Sequence, residues 1–309
     1  MAANYHLYDK RFHVKQLKGP IAVGLLFLLS LLPLSLARRL GRVLGLRMNK
    51  GTGKPARNTR INIAACFPEL NAAEQNALIG ESLKETGCSL GEMGMSWIWR
   101  PERVLEKIKA VHGQAVLDEA LAENRGVIMI APHIGNWEVL NLWLSKYYKL
   151  TAMYKPPKIK MMDDLIRGKR ERMGSHLAPA NVKGVRMAVK CLRRNEILGI
   201  LPDQEPEVSG GIFAPFMGVQ AFTMKLLPQL AAQTGGVVMS GYAKRVEGGF
   251  EIFFHRAEDS ANSKDLHEAA AAMNQEIEHC VRQVPEQYQW EYRRFSRRPE
   301  GETSFYKQK

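Results

Sequence analysis

Apolar positions along most of this chain alternate between two rhythms. Val127 to Ala131 reads VIMIA, a run with no polar position, and Trp137 to Tyr148 reads WEVLNLWLSKYY, with apolar residues three and four apart. The first pattern predicts a buried strand and the second a helix. The alternation continues downstream. KLTAMYKP predicts a strand stopped by Pro156 and Pro157, ILGILPDQEP a strand running into a polar turn, and VVMSGYAKR and FEIFFHRA two more strands. Between them, DDLIRGKRERMG and VRMAVKCLRRNE predict basic helices, the second with Val185, Ala188, Val189 and Leu192 at helical spacing. TMKLLPQLAAQTGG predicts a helix closed by glycines, and SKDLHEAAAAMNQEIEHCVRQV a long helix stopped at Pro285. Upstream, Asn71 reads as an N-cap with Glu74 completing a capping box, and QAVLDEALAENRG as a helix ended at Gly126. Strands alternating with helices predict an α/β protein with a central, mostly parallel or mixed β-sheet flanked by helices.

The rhythm is missing at the start. GPIAVGLLFLLSLLPLSLA, from Gly19 to Ala37, contains no charged residue. Its length is close to the roughly 20 residues that span a bilayer core. It ends at ARRLGR rather than at a small-residue cleavage site, which argues against a signal peptide. A buried core helix is the other alternative. Lys10, Arg11, Lys15 and Lys18 precede the run, and Arg38, Arg39, Arg42, Arg47, Lys50, Lys54, Arg57 and Arg60 follow it. The expectation is an N-terminal membrane helix inside an anchor segment of residues 1–50. The richer second flank puts residues 51–309 on the cytoplasmic side. Pro33 would bend such a segment, so a helix lying in one leaflet is a second geometry. Thr52 to Asn62, TGKPARNTRIN, reads as a basic linker.

Composition narrows the function. A chain of 309 residues with 44 basic and 31 acidic side chains carries a net charge of +13. That excess favours anionic lipid, nucleic acid or an acidic protein without choosing among them. No nucleic-acid recognition motif is present, so no nucleic-acid partner is expected. Cys66, Cys88, Cys191 and Cys280 stand far apart, which predicts reduced core thiols in a cytosol-facing protein and no metal site. Neither G-x-G-x-x-G nor G-x-x-x-x-G-K-[ST] occurs, so no nucleotide cofactor is expected.

Two polar motifs fall at predicted strand ends, APHIGNWE and LPDQEP, where α/β sheets gather their functional loops. The first holds His133 and Glu138. Residues five apart on a helix point about 140° away from each other. For the two to meet, His133 must sit on the turn before the helix, with Asn136 as N-cap and Glu138 in the first turn. Glu138 would then accept a hydrogen bond from one ring nitrogen, and the other nitrogen could take a proton from a bound hydroxyl. No serine or cysteine stands beside the pair, so the nucleophile would arrive with the substrate. The backbone amides of Gly135 to Trp137 could stabilise an oxyanion. A core histidine satisfied by a nearby carboxylate is the competing reading.

Further motifs widen the picture: NIAACFPEL at Asn62 to Leu70, and PEQYQWEYRRFSRRPEG at Pro285 to Gly301. With APHIGNWE and LPDQEP, they make the chain resemble the bacterial late (secondary) lipid A acyltransferases, the lauroyl and myristoyl transferases. These in turn resemble the glycerol-3-phosphate acyltransferase superfamily, whose signature is H-x-x-x-x-[DE]. The resemblance implies an enzyme of the bacterial inner membrane, its catalytic domain on the cytoplasmic face. It implies transfer of a fatty acyl chain from the phosphopantetheine thioester of acyl carrier protein to a hydroxyl of an acylated lipid A precursor. No cofactor is implied. His133 and Glu138 would be the catalytic dyad, with Asn136 beside them as a binding candidate.

The same resemblance points to an arginine near IRGKRERMG, where Arg170 and Arg172 are the candidates for phosphate binding; a solvated helix face is the alternative. Asp203 could hold an arginine or the acceptor's polar head, or form an Asx-turn after Pro202. Arg293 and Arg294 could bind lipid phosphates or pin the last segment. FAPFMGVQAFTMKLLPQLA reads as plain core, with an acyl-chain groove as the alternative. Rival functions are the same chemistry on another glycolipid or aminolipid, and a non-enzymatic, membrane-anchored protein that binds anionic lipid.

Overall fold

The protein is described by a computed structural model covering residues 10–157 and 159–307. Four helices come first: α1 (Lys10–Ser30), α2 (Leu34–Lys50), α3 (Lys54–Cys66) and α4 (Ala72–Ile98). After a short α5 (Pro101–Leu105), strands and helices alternate: β1 (Ile108–His112), α6 (Gln114–Ala122), β2 (Val127–Ile130), α7 (Trp137–Tyr147), β3 (Leu150–Tyr154), α8 (Lys160–Glu171), β4 (His176–Pro179), α9 (Val182–Arg193) and β5 (Ile197–Ile200). A hairpin follows, β6 (Gly211–Phe216) and β7 (Val219–Met224), then α10 (Leu226–Thr234), β8 (Val237–Val246), β9 (Gly249–Arg256) and α11 (Leu266–Gln283).

The seven-stranded sheet has the order β1-β9-β8-β2-β5-β3-β4. Every neighbouring pair is parallel except β8–β9, so the expected mostly parallel α/β sheet is what forms. All four residues of β2 and of β5 are buried. Alternation sends Ile128 and Ile130 to the face covered by α9, α10 and α11, and Val127 and Met129 to the face under α6 and α7. Central strands covered on both sides need continuous apolar runs, which is why VIMI and ILGI carry no polar residue.

The structure corrects several expectations. The Gly19–Ala37 run is not one helix: α1 stops at Ser30, the chain turns, and α2 starts at Leu34. Pro33 explains the break, because it lacks an N–H and pushes the preceding residue out of the helical region. Trp99 Nε1 ties the turn down by donating to Ser30 O at 2.7 Å. Among the described residues no helix is long and apolar enough to cross a membrane. The two helices instead pack on α4 at near backbone contact. A Cβ on Gly87 would stand 1.9 Å from Gly41 O, so only glycine permits the approach. Their other side leaves Ile21, Leu25, Phe27, Leu28, Leu31, Leu36, Leu40 and Leu44 exposed.

The basic linker is also corrected: residues 54–66 form α3, with Pro55 in its first turn. Asn62 in that helix donates to Trp290 O and Tyr292 O, both at 2.7 Å, so the C-terminal segment holds it in place. FAPFMGVQAF forms the β6–β7 hairpin, with Phe216, Met217 and Ala221 in the core. The capping box of α4 forms as expected, Asn71 accepting from Ala73 N and Glu74 N while Glu74 accepts from Asn71 N. All four cysteines are buried free thiols, and burial pushes Cys88 and Cys191 up to about 11.

Candidate active site

The strand register assembles the site. β2 and β5 are parallel neighbours with Ile130 opposite Ile200, and Ala131 N extends the ladder to Ile200 O at 2.8 Å. Each strand then leaves through a proline, Pro132 and Pro202, and the residues that follow are His133 and Asp203. Side by side, they bond twice. His133 Nδ1 lies 2.8 Å from Asp203 Oδ1, and His133 N donates to Asp203 Oδ2 at 2.8 Å. Burial opposes charge on Asp203, but the charge and hydrogen bonds of His133 outweigh it and hold the carboxyl below its usual range. The carboxylate selects the tautomer with its proton on Nδ1, which leaves Nε2 as the acceptor. Gln204 Nε2 stands 3.4 Å from Nε2, and the Trp137 ring meets the imidazole edge-on with centroids 4.8 Å apart.

Glu138 is the main correction. It sits in the first turn of α7 as expected, but its partner is Arg170 of α8, not His133. Arg170 Nε donates to Oε2 at 3.0 Å and Nη2 to Oε1, a two-pronged contact. Burial weighs against the charge of Arg170, yet Glu138 raises it above its ordinary value. The carboxylate at His133 is supplied by Asp203, which the sequence offered as a binder of an arginine or of the acceptor, or as an Asx-turn residue.

The other predicted residues divide. Asn136 caps α7, its Oδ1 accepting from Val139 N at 3.2 Å. Arg172 donates to Trp99 O at 2.7 Å and to Ser96 O at 3.4 Å, joining α8 to the end of α4. Arg294 is buried and donates to Phe222 O and Thr223 Oγ1, so it pins the C-terminal segment; Arg293 reaches Asn58, at 3.5 Å, and the ring of Tyr306. The expected oxyanion amides are partly committed. Gly135 N donates to Gln287 O at 3.0 Å and Asn136 N to Ala243 O at 2.9 Å.

A cavity of about 240 Å³ opens between α4 and α7, lined by Leu90, Met93, Trp97, Trp137, Glu138 and Glu291 among others. A second, narrow space is lined by His133 and shares Gly135, Trp137, Gln289 and Glu291 with the cavity wall. Burial pushes the Glu291 carboxyl up. The WEYRRF motif that carries Glu291 signalled this segment, but not that its acid would line the cavity. Cavity walls, the His133–Asp203 pair and the Glu138–Arg170 pair thus gather at one end of the sheet.

Residues 10–297 match the family model described as bacterial lipid A biosynthesis acyltransferase. The chain belongs to that family. It is 30% identical over 287 residues to the lipid A biosynthesis palmitoleoyltransferase of Escherichia coli (strain K12), covering 92% of each chain. To the lauroyltransferase of the same strain it is 28% identical over 290 residues, covering 93% of this chain and 94% of the relative. To the myristoyltransferase it is 28% identical over 284 residues, covering 88% and 83%. As a lipid A acyltransferase, the protein is an enzyme of acyl transfer in lipid A biosynthesis, acting on a lipid A precursor. In this acyltransferase the H-x-x-x-x-E residues have separate partners: His133 pairs with Asp203, and Glu138 with Arg170.

Proposed function

We propose that the enzyme moves a fatty acyl chain of the lauroyl or myristoyl class from acyl carrier protein to a hydroxyl of an acylated lipid A precursor. The observation that carries the reading is His133, fixed at Nδ1 by Asp203, whose Nε2 meets Gln204 Nε2 at a long 3.4 Å and whose ring lines a narrow space sharing wall residues with the cavity. Nε2 takes the proton of the acceptor hydroxyl as its oxygen attacks the thioester carbonyl. A tetrahedral oxyanion forms, the carbon–sulfur bond breaks, and the phosphopantetheine thiolate leaves. The proton on Nε2 passes to that thiolate, so His133 ends neutral and no cofactor is needed. Asp203 stabilises the imidazolium in between.

Glu138 acts through Arg170 in this scheme. It aligns the guanidinium, whose Nη1 is not engaged by Glu138 and is offered to a phosphate or sugar oxygen of the acceptor. The enzyme works at the cytoplasmic face of the inner membrane, with the exposed apolar side of α1 and α2 sunk into one leaflet. Arg39, Arg42 and Arg47 on α2 lie against anionic head groups.

The test pairs purified enzyme with lauroyl-acyl carrier protein and a tetra- or penta-acylated lipid A precursor in detergent. Product mass rises by one lauroyl group for wild type and stays unchanged for His133→Ala. Absence of transfer from any acyl carrier protein thioester to any lipid A precursor would overturn the donor and acceptor assignment.

A further inference from the structure

Under the His133 loop lies a buried ionic cluster that the transfer chemistry does not use. Glu92 of α4 is fully buried, and its carboxylate accepts from three elements: Arg38 Nε of α2 at 2.7 Å, Arg245 Nε of β8 at 2.8 Å, and Asn136 Nδ2 at 2.9 Å. Arg245 Nη2 reaches on to Gly135 O at 2.7 Å and Ser89 Oγ at 2.6 Å. Arg38 donates through Nη1 to Val246 O at 2.6 Å and through Nη2 to Gly249 O at 2.8 Å, at the β8–β9 turn.

Two guanidiniums and two carboxylates, Glu92 and Glu85, whose Oε2 stands 3.5 Å from Arg245 Nη1, lose hydration that their mutual attraction roughly offsets, and apolar residues of the same size would stabilise a fold as well. Stability is therefore a weak reason for the cluster. Directional bonds do what apolar packing cannot: they hold several elements in one geometry. Here the element held is the turn from β2 into α7. Glu92 grips the Asn136 side chain that caps α7, and Arg245 grips Gly135 O, close behind His133 in the chain. On the far side, Arg38 belongs to α2, which exposes Leu36, Leu40, Val43 and Leu44.

We propose that Glu92 is a positioning residue through which the seating of α2 on a lipid surface sets the geometry of the His133 loop. The route runs from Arg38 to Glu92 and from there to Asn136. This rests on the membrane-surface reading given above. Catalytic alignment is then tightest when α2 lies on lipid.

The test reads the His133 imidazole directly, in enzyme labelled at histidine and assigned with His133→Gln. Wild-type spectra are taken before and after addition of phosphatidylethanolamine–phosphatidylglycerol vesicles, and so are those of Glu92→Gln and Arg38→Met. In wild type the vesicles shift the His133 signals and raise kcat at least threefold over detergent; in both variants the shift and the rise are lost, with KM for the acyl donor unchanged. Arg38→Lys keeps the cation without the fork, and shows the same loss in smaller measure should Arg38→Met fail to fold. His133 signals that ignore vesicles in wild type, or that respond equally in the variants, overturn the proposal. The spectra decide even where wild type transfers nothing, so this failure is separable from failure of the proposed reaction.

Discussion

His133 and Asp203 each stand three residues beyond a paired isoleucine, Ile130 and Ile200, on adjacent parallel strands. Strand register alone therefore brings an imidazole and a carboxylate within 2.8 Å across 70 residues of chain. If that pair does the proton transfer, His133→Ala lowers kcat by about 10²–10⁴, the range of a positioned acid–base group. Asp203→Asn keeps the shape, removes the charge that stabilises the imidazolium, and lowers kcat by roughly 10² or more on the same grounds. Steady-state rates on one acyl donor compare them. Full kcat in Asp203→Asn would return the orienting role to another group.

Glu138 and Arg170 form a largely buried ion pair, with side chains 9% and 19% exposed. Removing one partner strands the other charge, which costs about 3–5 kcal/mol for a buried pair. Glu138→Gln is expected near the lower end, and Glu138→Gln with Arg170→Met recovers most of the loss. Urea unfolding of the two single variants and the double gives the coupling. Additive losses would show that the pair does not act as a unit.

Much of this arrangement was legible in the chain, and what was not has a physical cause. β2, β5 and β8 announce themselves as apolar runs because both of their faces are largely covered, and β9 through Phe250, Ile252 and Phe254 on its one buried face. β1 and β4 are edge strands whose exposed and half-exposed positions break the apolar run, and they leave no such mark. The start of α3, with glycine, lysine and proline, has linker composition; its burial under the C-terminal segment makes it a helix. His133, Asp203 and Arg170 could be picked out singly. Their pairing depends on β2 lying beside β5 and on α8 returning over α7, which spacing within one motif cannot reveal.

Asp203 also predicts an acid response. Its folded pKa lies below its ordinary 3.8, so it contributes stability that is complete above that value and is lost as pH falls through the lower folded one. Asp203→Asn should therefore be less stable than wild type near neutrality, with the gap closing below about pH 4. Urea midpoints measured between about pH 6 and pH 2.5 would show it. A gap independent of pH would mean that the stabilisation does not come from the charge.

The apolar side of α1 and α2 predicts surface binding without folding cost. Phe27, Leu28 and Leu31 are each more than half exposed, so replacing them with serine removes little packing and should change stability by less than about 0.5 kcal/mol. Fully burying such a side chain is worth about 1.5–3 kcal/mol each. The triple variant should therefore lose vesicle binding by at least about a hundredfold, even if burial in the leaflet is only partial. Co-sedimentation with phosphatidylglycerol-containing vesicles measures this. Unchanged sedimentation would move the lipid contact to the basic side chains alone.

The cavity between α4 and α7 makes the last prediction. The apolar part of its wall on α4 is Leu90, Met93 and Trp97, beside Thr86, Ser89 and Ser96 of the same helix, and its volume is about 240 Å³. An acyl chain whose thioester carbonyl meets His133 Nε2 has this apolar space to run into. Met93 is the flexible part of that wall, since an unbranched thioether adapts to irregular shapes. Met93→Trp should shorten the space and shift preference toward shorter donors, while Met93→Ala should favour longer ones. One added or missing methylene is worth roughly 1–3 kcal/mol of discrimination, or about 10–200-fold in kcat/KM. Competition between lauroyl, myristoyl and palmitoleoyl thioesters of acyl carrier protein, read by product mass, resolves changes of that size. A preference that ignores Met93, with kcat intact, would put the acyl chain elsewhere and leave this cavity to a chain of the acceptor.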